Sequence, residues 1–96
     1  MYVRLVRFSF GSGKHAAAED LASDLVPAIR GQKGCDSVLF FGDAADGEYG
    51  LVVIWASKED ADAAAAVIGP RLQQGLAGNV QGPPDIRLFE VIEPKA

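Results

Sequence analysis

Hydrophobic positions alternate along four stretches of this chain and recur at helical spacing along two. From Tyr2 to Phe10, one face takes Tyr2, Arg4, Val6, Phe8 and Phe10, and the other takes Val3, Leu5, Arg7 and Ser9, which predicts a first strand. Gly11-Ser12-Gly13 breaks it. Ala18, Leu21, Ala22, Leu25 and Ile29 then share one face of a helix predicted over 14–30, with Pro27 expected to kink its last turn. Cys35 to Phe41 and Glu48 to Ala56 read as strands two and three of a hairpin, turned at Asp46-Gly47. Tyr49, Leu51, Val53 and Trp55 share one face of strand three; Gly50, Val52 and Ile54 share the other. Ser57 and Asp60 have capping-box spacing and open a second helix with Ala61, Ala64, Ala65 and Ile68 inward; Gly69-Pro70 is expected to stop it, with a further short turn over 71–76. An irregular segment, 78–85, leads to a last strand over 86–92.

This order, β-α-β-β-α-β, predicts an α+β fold: a four-stranded antiparallel sheet with both helices on one face. Helices cover only one sheet face, yet the strands are apolar on both. Large exposed apolar patches are rare on monomers, so a second copy in twofold symmetry is the expected cover. The length of 96 residues fits one domain over 1–96 with a thin core, to which a second subunit adds burial.

Composition removes several function classes. The net charge is −4 and the nine basic residues are scattered, so no nucleic-acid partner is expected. An apolar run such as 51–56 is far short of the ~20 residues of a membrane span, and Met1–Arg4 alternates like a strand rather than opening a signal peptide. The single cysteine, Cys35, suits a reducing cytoplasm and reads as an inert thiol. With one His and one Cys, no metal site is expected. Gly11-Ser12-Gly13-Lys14 lacks the spacing of a phosphate loop.

Other residues carry candidate chemistry. Trp55 can stack on a flat ligand and donate one hydrogen bond, or serve simply as a core residue. Arg4, Arg7 and Arg87 lie on apolar strands and need a partner: Glu48, Glu90 or an anionic ligand. Tyr49 shares a face with Trp55 and has a hydroxyl to offer. His15, the only histidine, has no orienting partner legible in the sequence, and an exposed position at the start of helix one is expected.

The first strand followed by Gly13-Lys14, Leu25-Val26-Pro27 in helix one, Gly34-Cys35 before strand two and Trp55-Ala56-Ser57-Lys58-Glu59-Asp60-Ala61 after strand three together resemble the antibiotic biosynthesis monooxygenase family of the dimeric α/β-barrel superfamily. The resemblance implies a ferredoxin-like fold, a homodimer with facing sheets, and a ligand cleft between helices and sheet. Some members of this family oxidise quinols or polycyclic aromatic compounds without metal or flavin, some degrade haem, and others have no established role. The haem-degrading members pair the Trp with an Asn on strand one and a His on helix two. Here Val6 takes the strand-one position and residues 57–69 contain no His, which disfavours haem. The polyketide-oxidising members carry polar groups near the Trp, whereas Leu51 and Ala61 are apolar here.

The resulting expectation is a pocket lined by Val6, Phe8, Phe40, Tyr49, Val53 and Trp55 that takes an apolar or aromatic molecule. The expected reaction is cofactor-free oxygenation of a quinol or polycyclic phenol. Trp55 positions the ring, and Arg7 or Tyr49 stabilises its anion. Two alternatives on the same scaffold are a non-catalytic ligand-binding or sensing domain and a structural assembly module.

Overall fold

The computed structural model describes residues 1–95. Its elements are β1 (Tyr2–Ser9), α1 (His15–Arg30), β2 (Cys35–Asp43), β3 (Glu48–Trp55), α2 (Lys58–Leu76) and β4 (Asp85–Glu90). The strands form one antiparallel sheet in the order β2-β3-β1-β4. The expected α+β, βαββαβ architecture is therefore the observed one.

Register assigns every side chain to a face. Arg4 pairs with Val53 and Leu88, Val6 with Leu51 and Ile86, and Phe8 with Tyr49. These residues face the helices. On this face Val6, Phe8, Val38, Tyr49, Leu51, Val53 and Trp55 are buried against Leu21, Leu25 and Ile29 of α1 and Ala61, Ala64, Ile68 and Leu72 of α2. The opposite face carries Val3, Leu5, Leu39, Val52, Ile54 and Phe89, and no element among the described residues covers it. Leu39 is 66% exposed and Phe89 43%, so an apolar surface of the expected kind is open.

α2 departs from the expectation. It runs unbroken through Gly69-Pro70 to Leu76. Proline there removes one backbone donor, whose acceptor in a regular helix is the carbonyl four residues back, at exposed Ala66. Water can solvate that carbonyl. Leu72 and Leu76 continue the stripe of Ala61, Ala64 and Ile68 and are buried, which outweighs the local break. Pro27 likewise lies within α1, which continues to Arg30. The segment after α2 is bonded into place, with Val80 N–H donating to Leu76 O and Gln81 N–H to Ser9 O.

Candidate functional site: a cavity beneath the second helix

Three local features fix Trp55 at the end of β3. Cys35 pairs with Trp55, and the register shift between Cys35 and Ser37 leaves Asp36 as an extra residue that bends β2. Ala56 N–H donates to Gly34 O. Two residues beyond Trp55, the Ser57 hydroxyl accepts from Asp60 N–H at 3.1 Å and sets where α2 begins. The indole is thereby held at the root of α2.

Between α2 and the sheet lies a cavity of about 120 Å³. Its sheet wall is Arg4, Val6, Leu51, Val53, Trp55 and Ile86. Its helix wall is Ala61, Ala64, Ala65, Ile68, Gly69 and Leu72, with Ile29 of α1 closing one side. The space exists because α2 presents alanine and glycine there; larger side chains at these positions would fill it. An apolar protein cavity of about 150 Å³ holds a benzene ring, and this one is somewhat smaller, so a single ring is the upper limit of what it takes.

The lining has two polar features. Trp55 is 3% exposed and its Nε1–H is buried with no hydrogen-bond partner. A buried donor left unpaired costs about 1–3 kcal/mol, so an acceptor brought to it would be held firmly. The second is the Arg4 guanidinium, whose side chain is 20% exposed and lies 3.8 Å from Asp62. Asp62 is engaged more closely by Lys58, which donates to it at 2.8 Å. That hydrogen bond holds the Asp62 carboxyl below the usual carboxylate range, with Lys58 and Arg4 charge adding to the effect. Arg4 is thus loosely paired and retains donors for an anion. The cavity is lined by apolar residues together with Trp55, whose buried indole N–H is unpartnered, and one cation, Arg4. Leu51 and Ala61 both line it.

The sequence-predicted residues separate into four groups. Val6, Val53 and Trp55 line the cavity. Phe8 is buried in an aromatic cluster with Phe10, Phe40 and Tyr49, at centroid distances from 5.1 to 6.3 Å, and lines neither hollow. Phe40 and Tyr49 line a second hollow, beside α1. Arg7 pairs with Gly50 on the opposite sheet face and lies 3.8 Å from Glu48, so the sheet itself separates it from Trp55. The guanidinium at the cavity is that of Arg4, which the period-two alternation already placed on the face of Val6. Burial pushes the Cys35 thiol upward, Arg30 opposing and Asp36 reinforcing the shift. Among the described residues, no group of three or more His, Cys, Asp or Glu side chains is arranged to hold a metal, and no helix is long and apolar enough to cross a membrane.

Comparison with known proteins places this geometry. The family model for antibiotic biosynthesis monooxygenase matches residues 1–66. Among solved structures, a protein of Deinococcus radiodurans assigned as an antibiotic biosynthesis monooxygenase superposes with a TM-score of 0.82 at 22% identity, covering 100% of this chain and 97% of that one. A Nitrosomonas europaea protein of unknown function gives 0.82 at 20% identity, covering 99% and 92%. SnoaB, a cofactor-independent oxygenase from Streptomyces nogalater, gives 0.77 at 17% identity, covering 97% and 94%. No curated protein matches the chain. At these identities the solved structures speak for the fold, while the family model matches more than half of the sequence and, with it, β1 through Trp55 and the first turns of α2. The chain belongs to the antibiotic biosynthesis monooxygenase family.

Proposed function

We propose that this protein is a cofactor-independent monooxygenase that binds one ring of a quinol or phenol in the Trp55 cavity. The observation that carries the proposal is the unpartnered indole N–H of Trp55, a residue that lines an apolar cavity whose one charged lining residue is Arg4. A ring oxygen accepting from Trp55 Nε1 satisfies the stranded donor. Arg4 favours the anion of that oxygen or of a second one, which lowers the phenol's pKa on binding. The apolar walls strip water from the anion and raise its tendency to give an electron to dioxygen. The resulting ring radical and superoxide combine to a ring hydroperoxide, which loses water. For 1,4-hydroquinone, one C–H bond breaks, one C–O bond forms, and the ring supplies all four electrons. The products are a hydroxyquinone and water. A polycyclic substrate has room for one ring inside, with the rest at the mouth beside Ile86, which is 45% exposed.

The partner proposed for the chain is a second copy of itself. Val3, Leu5, Leu39, Val52, Ile54 and Phe89 form the open apolar face, and burial against an identical face removes them from water.

One observation favours binding without turnover. Arg4 is the only ionisable side chain lining the cavity, so no general base is at hand among the described residues. The two readings are told apart by oxygen uptake and ¹⁸O₂ labelling with 1,4-hydroquinone. The oxygenase reading expects one labelled oxygen in the hydroxyquinone, with kcat/KM falling about tenfold or more in Trp55→Phe through loss of one hydrogen bond. Binding with no enzyme-dependent oxygen uptake points to the sensor.

A further inference from the structure

The second hollow, about 150 Å³, lies between α1 and the β2–β3 hairpin, away from the Trp55 cavity. It is lined by Phe40, Ala18 and Ala22, with Tyr49 at its base. Tyr49 is 3% exposed and packs where a Cβ on Gly42 would collide with its ring, so the glycine makes room for the phenol. The Tyr49 hydroxyl lies 3.3 Å from His15 Nδ1. His15 Nε2 lies 3.7 Å from Glu19 Oε1, one helical turn along α1. The histidine that looked solitary in the sequence therefore has an orienting group on each nitrogen.

The Glu19 carboxylate beside Nε2 can only accept, which favours the tautomer protonated there and leaves Nδ1 to accept from the Tyr49 hydroxyl. With the buried Tyr49 hydroxyl donating to Nδ1, neutral His15 carries its proton on Nε2, at the rim. The rim then presents an N–H donor beside the Glu19 carboxylate acceptor. Below it lie aromatic and methyl surfaces of ring size. A group that both donates and accepts, attached to a flat ring, complements all of these at once. A phenolic hydroxyl does so: it accepts from His15 Nε2–H and donates to Glu19.

We infer that the His15–Glu19–Tyr49 hollow is a second small-molecule site, which takes a single hydroxylated aromatic ring independently of the Trp55 cavity. Tyr49 acts there as a positioning residue. It fixes the imidazole tautomer from beneath and presents its ring as the floor.

His15 and Trp55 are the only residues of their types in the chain, so one proton NMR titration reads both sites. The probe is resorcinol, which resists oxidation. Saturable movement of the His15 Cε1 proton is expected, with its own midpoint, alongside separate movement of the Trp55 indole proton. Tyr49→Phe, which keeps the ring, is expected to weaken the His15 isotherm about tenfold, the equivalent of one hydrogen bond, and to leave the Trp55 isotherm in place. Trp55→Phe is expected to leave the His15 isotherm unchanged. A His15 signal that stays still while the indole moves overturns the second site and spares the cavity. A His15 response that disappears in Trp55→Phe overturns its independence. Silence of the indole alone counts against the proposed function and not against this site.

Discussion

Trp55 holds a donor that the fold leaves unanswered, and the consequence can be separated from stability. Trp55→Phe removes the stranded N–H, which relieves about 1–3 kcal/mol, and loses ring volume, which costs a similar amount. Unfolding free energy in urea is expected to stay within about 1 kcal/mol of the parent while ring binding weakens about tenfold or more. A large loss of stability with unchanged binding assigns the indole to the core alone. Arg4→Met keeps the stem that packs on the cavity wall and removes the charge. It is expected to abolish any preference for anionic over neutral phenols, measured as the pH dependence of affinity. Cys35 gives a control of known sign. Burial raises its pKa, so the thiolate is disfavoured in the folded state. Its neutral form favours the fold below the thiol's ordinary range, and that contribution fades as pH rises through the folded pKa. Iodoacetamide is expected to alkylate Cys35 more slowly than free cysteine at pH 8 and to catch up on unfolding in urea. At this scale the sequence was partly readable. Alternation separated Arg4, Val6 and Phe8 from Arg7, so the role expected of Arg7 beside the ring ran against the strand's own parity, which sets it opposite Gly50. The pairing of His15 with Tyr49 spans 34 residues and depends on how α1 crosses the hairpin, for which neither residue carries a local signal.

The second helix determines both the cavity and its closure. Its small residues are spaced so that Ala61, Ala64, Ala65 and Gly69 meet the void. The inward Ala61, Ala64 and Ala65 were readable in the sequence, while the void they leave was legible only with Leu51 and Val53 placed opposite. Ala64→Leu is expected to fill the cavity and block ring binding, with a stability change smaller than the roughly 1–3 kcal/mol typical of overpacking, because space is already there. Calorimetry with hydroquinone and a urea melt check the two halves. Ser57→Ala removes the acceptor for Asp60 N–H and is expected to cost about 1 kcal/mol. Gly69-Pro70 reads as a stop because propensity is local. The buried Leu72 and Leu76 beyond it override that signal, and only tertiary packing reveals them as a continuation of the same stripe.

Across the whole molecule, the sheet divides two tasks. Its helix side encloses the site. Its other side is apolar and open, with Arg7–Glu48 and Arg87, which lies over the Phe89 ring, adding charge among the apolar groups. Pairing of this face with a second copy is expected to give a dimer in analytical ultracentrifugation. Leu39→Glu with Val52→Glu, directly opposite each other on the face, is expected to yield monomers that keep their far-ultraviolet dichroism. The β-α-β-β-α-β order and the doubly apolar strands were plain in the sequence because each strand's alternation is complete within nine residues or fewer. The division of the expected single pocket into two hollows was not, because Phe8 and its aromatic neighbours pack solidly between them. A crystal structure with hydroquinone bound under anaerobic conditions measures the site most directly. It is expected to show a ring oxygen about 2.9 Å from Trp55 Nε1 and the Arg4 guanidinium turned toward the ligand. A ring seated elsewhere, with the indole N–H still unpaired, contradicts the assignment of this cavity as the reaction site.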